Sequence, residues 1–234
     1  LRGAVQRVRL SIDKPDIFEP IRRRSGVIEV SNLGLWSGFA KTRTPMQLEN
    51  YRDLGGRRVR LNDRERDQLL EVVEDDTRKT LAFGLMAHSG LRSQEVVDAQ
   101  REHLYQSETG QWFMRVPEGK GDKERSTPTS ATLAGMIRAQ ESGRLVDVST
   151  RTIRRWVTAA AEELAEKEND ERWRYLGPHD LRRTWGHLTL EAEVLPSVVM
   201  QWGGWEDYPT FQRHYLGKHG EVVQSREAEK IPWF

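Results

Sequence analysis

Three short segments of this 234-residue chain carry charged and polar residues where neither a core nor a helix cap requires them. The first is Ser89-Gly90-Leu91-Arg92-Ser93-Gln94-Glu95, with an arginine following a glycine turn between two apolar stretches. The second is His179-Asp180-Leu181-Arg182-Arg183-Thr184, in which His179 and Arg182 stand three apart and share a helix face. The third is Gly203-Gly204-Trp205, followed ten residues later by Tyr215. Guanidiniums are planar, permanently charged forks that bind phosphate oxygens in a bidentate way. An indole N–H can only donate, and an activated phenol is a nucleophile. Taken singly, each segment has an ordinary reading: Arg92 paired with a nearby carboxylate, His179 as a cap or surface group, Tyr215 as a half-buried aromatic. The chemistry rests on the set.

As a set, these residues resemble the tyrosine recombinase family, the phage-integrase type of site-specific recombinase. That family pattern has an arginine in a Gly-Leu-Arg turn, a lysine in a β-hairpin, a His-x-x-Arg box, a later His or Trp, and a tyrosine about ten residues beyond it. The matching residues here are Arg92, Lys120 within Gly119-Lys120-Gly121-Asp122-Lys123, the box from His179 to Arg182, Trp205 and Tyr215. The likeness runs from about Leu61 to Gly217, roughly two thirds of the chain.

The resemblance implies a division of labour. Tyr215 would attack a DNA phosphodiester, forming a 3′-phosphotyrosyl bond and releasing a 5′-hydroxyl. Arg92 and Arg182 would meet the negative charge on the phosphate oxygens in the transition state. His179 would add a donor and help remove the phenol proton, Trp205 would hold a phosphate oxygen, and Lys120 would protonate the departing 5′-oxygen. Lys123 is the rival for that last part, three residues along the same turn. A covalent link conserves the ester energy, so the implied reaction needs neither ATP nor metal, and no cofactor is expected. Two other activities use similar residues: a non-catalytic DNA-binding regulator with the same fold, and relaxation of DNA by a type IB topoisomerase. The complete set of Arg92, Lys120, His179, Arg182 and Tyr215 argues against the first. The second commonly brings its own clamp domain, of which the sequence gives no sign.

The elements that must position these residues are mainly helical. Asn62 and Glu65 make a capping box for a helix carrying Leu69, Leu70, Val72 and Val73. A buried helix follows over Leu81 to Ala87, and a short one over Ser93 to Ala99 with Ser93 at its start. Trp112 to Val116 is the best strand, and Glu124 to Pro128 the returning one, making a small hairpin with Lys120 at its tip. Ser149 caps a long helix to about Asn169, and Pro178 opens the helix that carries the His-x-x-Arg box. Shorter helices are expected around Pro196–Trp202, Tyr208–Tyr215 and Gly220–Lys230. The predicted fold class is mainly α with a small antiparallel β-hairpin or sheet (α+β).

Composition limits the alternatives. The chain has 37 Lys and Arg against 36 Asp and Glu, 36% hydrophobic residues and no cysteine. The absence of cysteine excludes disulfides, thiolate metal sites, iron–sulfur clusters and cysteine nucleophiles, and favours an intracellular compartment. No apolar run reaches the roughly 18 residues of a membrane span, and no membrane partner is expected. Residues 1–60 hold 13 basic against 6 acidic side chains, whereas the rest hold 24 against 30, so near-neutrality overall conceals a basic arm on a mildly acidic body.

Residues 1–58 are expected to form a basic arm or linker, too short and irregular for the separate DNA-clamping domain that such recombinases usually carry. Residues 59–220 would be the catalytic domain and 221–234 a tail that docks on a neighbouring copy. Arg22, Arg23 and Arg24, with Lys123 and Arg183, are the candidate DNA contacts beyond the catalytic set. The expected partner is double-stranded DNA, with a tetrameric homo-oligomer on it as the resemblance implies. His187, two helical turns after His179, lacks an evident third metal ligand, so packing is favoured over metal binding and no metal site is expected.

Overall fold

The computed structural model describes residues 46–50, 57–117, 124–212, 215, 225 and 227–233. Its first pairing is an antiparallel hairpin of β1 (Gln47–Asn50) and β2 (Arg57–Arg60), with Gln47 opposite Arg60. The sequence reading placed no strand before the Asn62–Glu65 box; Val59 lies within β2, pointing into the core at 0% exposure between two less buried arginines. Met46 is likewise buried. β2 is fastened to a later helix through the Leu61 N–H, which donates to Thr184 Oγ1 at 3.1 Å.

Helix α1 (Asp63–Glu71) begins with the expected box: the Glu65 N–H donates to Asn62 Oδ1 at 2.9 Å and the Asn62 N–H to Glu65 Oε2 at 2.8 Å. Val72 and Val73 fall just beyond its end. Helix α2 (Thr77–Ser89) starts four residues before the expected Leu81, because the Asp76 carboxylate caps the Arg78 and Lys79 amides. Leu81, Phe83, Leu85 and Met86 are all fully buried, each contributing about 1.5–3 kcal/mol of burial free energy. α2 is therefore the central helix, packed by α3 (Ser93–Asp98), α4 (Ala131–Arg138), α5 (Thr150–Lys167) and α6 (Pro178–Glu191). Ser149 caps α5 as expected, accepting from the Thr152 N–H.

The two expected strands are paired, and a third joins them. β3 (Leu104–Gln106), β4 (Trp112–Val116) and β5 (Arg125–Pro128) form an antiparallel sheet in that order, with Met114 opposite both Leu104 and Thr127. Thr127 Oγ1 donates to the Ser89 carbonyl at 2.7 Å, joining β5 to the end of α2. A second apolar cluster, of Trp185, Val199, Phe211 and Tyr215, gathers α6, α7 (Pro196–Gly203) and α8 (Tyr208–Phe211). The described residues thus have the expected mainly helical character with small antiparallel sheets. No described helix is long and apolar enough to cross a membrane.

Candidate active site

Gly90 ends α2 in the left-handed conformation, φ 68°, and a Cβ there would lie 2.2 Å from the Trp185 ring. Only glycine meets both demands. The chain then buries Leu91 and delivers Arg92 to the start of α3. Arg92 Nη1 donates to Glu95 Oε1 at 2.7 Å, its backbone N–H donates to Glu95 Oε2 at 2.6 Å, and Nη2 reaches the Gly204 carbonyl at 3.5 Å. The carboxylate partner foreseen for a lone arginine therefore exists, and it lies three residues along the chain.

Arg182, on the second turn of α6, is 1% exposed. Its Nη1 donates to the Gly90 carbonyl and its Nη2 to the Gly203 carbonyl, which aims the guanidinium between the two glycine turns. Burial, aided by the charge of Arg92, brings its pKa down to about 10, so it stays cationic at neutral pH. His179 sits one turn earlier on the same helix. It is exposed, and the desolvation of its ring by the surrounding chain, followed by the charges of Arg183, Arg182, Arg92 and Arg58, brings its pKa down to about 4 and leaves the imidazole neutral at pH 7. Between them, Asp180 accepts from the Gly177 N–H at 3.0 Å and from Arg183 Nη1 at 2.5 Å. Arg183, expected on the DNA-facing surface, is 6% exposed and turned inward to this ion pair.

Trp205 follows α7 directly. Its ring lies 4.4 Å from the Arg182 Cζ, 6.0 Å from the Trp185 ring and 4.7 Å from the Tyr215 ring. Tyr215 is 9% exposed, between the rings of Trp205, Phe211 at 5.0 Å and His187 at 5.2 Å. Burial raises the Tyr215 phenol above its ordinary value, against the opposing charges of Arg182, Arg183, Arg58 and Arg92. The phenol is neutral in this arrangement. His187, the residue assigned to packing, contacts Arg60 Nη1 through Nδ1 at 3.2 Å besides flanking Tyr215. Among the described residues no group of three or more His, Asp or Glu side chains could hold a metal ion.

Arg92, His179, Arg182, Trp205 and Tyr215 therefore converge from three distant stretches of chain. The same four guanidiniums, of Arg58, Arg92, Arg182 and Arg183, act electrostatically on both His179 and Tyr215. Nearby carboxylates are Glu95 and Asp180, so the site carries surplus positive charge and suits an anion. Lys120, Lys123, Arg22, Arg23 and Arg24 lie outside the described residues. The sequence reading missed Arg58, whose strand it did not anticipate, and Arg125, the first residue of β5. It quoted Glu95 within a motif without giving it work. The three-residue spacing of Arg92 and Glu95 at a helix start was the available signal.

Comparison with known proteins identifies the family and the fold. A sequence profile described as the phage integrase family matches residues 59–220. The fold is similar to the crystal structure of XerA recombinase, with a TM-score of 0.58 and 20% identity over 75% of this chain and 66% of that one. It is also similar to XerH site-specific recombinase bound to difH substrate in a pre-cleavage complex, with a TM-score of 0.56, 17% identity, and coverage of 75% and 54%. A third likeness is to the Tn1549 transposon integrase in complex with transposon right end DNA, with a TM-score of 0.55, 13% identity, and coverage of 74% and 65%. At these identities the likeness is one of fold, and the chain spans between about half and two thirds of the length of those proteins. No curated protein sequence matches the chain.

Proposed function

The chain belongs to the phage integrase family of tyrosine recombinases, and from that we propose that it cleaves and rejoins DNA at a specific site through a 3′-phosphotyrosyl intermediate. The convergence of Arg92, His179, Arg182, Trp205 and Tyr215 around one surplus of positive charge carries this reading. In the proposed reaction the Tyr215 oxygen attacks the scissile phosphorus while its proton passes to neutral His179. The P–O5′ bond breaks, and Lys120 supplies the proton that the leaving 5′-oxygen takes up. Lys123 is the alternative donor. Reversal by another 5′-hydroxyl joins the strand to a new partner.

Arg182 suits its part because each of its Nη atoms carries a second N–H beyond the one given to a carbonyl. Arg92, held by Glu95, supplies the other fork. Guanidinium charge at the developing oxyanion provides the stabilisation, so the reaction as proposed uses neither metal nor nucleotide. The buried, neutral Tyr215 must leave its aromatic seat and lose its proton in the field of these cations before attack. Residues 59–220 would be the catalytic domain, with residues 1–58 as a basic arm touching DNA through Arg22, Arg23 and Arg24. Residues 221–234 would dock on a neighbouring copy in a tetramer on duplex DNA, inside the cell. Arg183, facing Asp180, would support α6 rather than reach DNA while that pair is closed.

The test uses a nicked duplex bearing the sequence that the protein selects from a random duplex pool. Recombinase chemistry traps a covalent adduct that disappears in Tyr215→Phe, and Arg182→Ala slows its formation by roughly 10²–10³-fold while DNA is still bound. Relaxation of any supercoiled plasmid would instead indicate a topoisomerase. Binding without adduct would indicate a regulator.

A further inference from the structure

We propose that Arg125 is a positioning residue that aims the guanidinium of Arg92 through Glu95 and ties the turn before Trp205 to the same anchor. The proposal rests on the strand-cleavage reading above. Arg125 opens β5, opposite Val116. Its side chain is only 6% exposed, and its Nη1 and Nη2 donate to Glu95 Oε1 and Oε2 at 2.8 and 2.7 Å. Its Nε donates to the Trp202 carbonyl at 3.0 Å.

This fork has a geometric consequence. Arg92 reaches the Glu95 carboxylate through one side-chain and one backbone donor of the same helix start, whereas the two parallel donors of Arg125 fix the carboxylate plane from outside α3. The oxygens fixed by Arg125 are the same two that accept the Arg92 Nη1 and the Arg92 backbone N–H. The direction of the Arg92 fork is therefore inherited from Arg125. The Nε contact extends this control to α7: Trp202 precedes Gly203, whose carbonyl receives Arg182, and Gly204, whose carbonyl receives Arg92. One side chain at the root of the hairpin thus sets the acceptors that orient both phosphate-facing arginines.

Stability alone is a weak reason for such a triplet, since a buried ion cluster gains little over well-packed apolar residues of similar size. Glu95 shows the strength of the coupling. Burial would raise its carboxyl, yet the bonds and charge of Arg125 and the Arg92 amide hold it below the usual carboxylate range. Arg92 and Arg125 also both oppose the charge of Arg182, so the gathering of like charges is kept in place by Glu95 and favours an incoming anion.

The test compares Arg125→Lys, which keeps the charge but loses the fork, with Arg92→Lys and the double variant, on the nicked duplex described above. Arg125→Lys should form adduct about 10–100-fold more slowly, the cost of a small misplacement of a reacting group, with the DNA dissociation constant unchanged within about threefold. The double variant should be slower than Arg92→Lys by clearly less than the full loss of Arg125→Lys, because the two share the Glu95 link. Wild-type cleavage by Arg125→Lys, or additive losses, overturns the proposal. If the wild-type chain makes no Tyr215-dependent adduct, the cleavage reading fails on its own. The positioning claim is then decided by the NMR signal of the Arg92 Nε–Hε group, which should shift or broaden in Arg125→Lys and whose constancy would refute it. Should Arg125→Lys fail to fold, Arg125→Met with Glu95→Met restores a neutral packed interior; it should fold and cleave as slowly as Arg92→Lys, and full activity would refute the proposal.

Discussion

The guanidinium carbon of Arg182 sits over the ring of Trp205, 4.4 Å from its centroid. In the proposed reaction Trp205 has two separable parts to play: its face steadies the arginine, and its N–H would donate to a phosphate oxygen. Trp205→Phe removes only the second and should raise the cleavage barrier by about 1.5–3 kcal/mol, the worth of one hydrogen bond to a charged group. Trp205→Ala should add about 1–2 kcal/mol for the lost face. Adduct formation rates measure both, and equal losses would assign the whole effect to the N–H.

Gly186 lies beneath Tyr215, where an added Cβ would stand 2.7 Å from the Tyr215 Cε1. Alanine is ordinarily better than glycine inside a helix by roughly 1 kcal/mol. Here overpacking should outweigh that gain and destabilise the second apolar cluster by about 1–3 kcal/mol, measured by urea unfolding. A more stable Gly186→Ala would show that Tyr215 yields freely.

One half-buried histidine sets an acid limit. Desolvation lowers His88 to about 3, with Arg66 adding to the effect. Unfolded, it titrates near 6.5, so the unfolded chain takes up the proton first as pH falls. The stability from keeping it neutral is complete above about 6.5 and is lost as pH drops from there toward 3. It should remove about 1.4 kcal/mol per pH unit in the middle of that range. Urea midpoints from pH 7.5 to 4.5 should fall accordingly, and His88→Gln should flatten the slope. An identical slope in that variant would show that His88 does not drive the loss.

The arginine triplet Arg22-Arg23-Arg24 is expected to act through phosphate contacts alone. Replacing all three with Ala should reduce the slope of log K against log salt by up to about 3 while leaving cleavage of a saturated site intact. An unchanged slope would return the triplet to the solvated surface.

Much of the fold was legible because its signals are local. The Asn62–Glu65 box, the Ser149 cap and the strand from Trp112 to Val116 each follow from a few adjacent residues. β1 and β2 were not, since a four-residue strand reading Arg-Arg-Val-Arg offers one inward residue and no periodicity to detect. The candidate site divides along the same line. Arg92, His179, Arg182, Trp205 and Tyr215 sit in recognisable motifs, whereas the Glu95–Arg125 fork joins residues 30 apart through a sheet whose register the sequence does not encode locally. Arg58 and the inward turn of Arg183 belong to that second kind as well.

Gly90 closes α2 and Gly203 is the last residue of α7, so Arg182 bridges the carboxyl ends of two helices. Those ends carry partial negative charge from the aligned peptide dipoles. The guanidinium accordingly has an electrostatic seat even without DNA, and its reorientation is completed while the chain folds rather than when a phosphate arrives. It also rivets the main core, through α2, to the smaller cluster, through α7. Local melting of α7 would then dismantle the candidate site while leaving α2 folded, which makes the second cluster the unit whose opening governs how often the site exists at all.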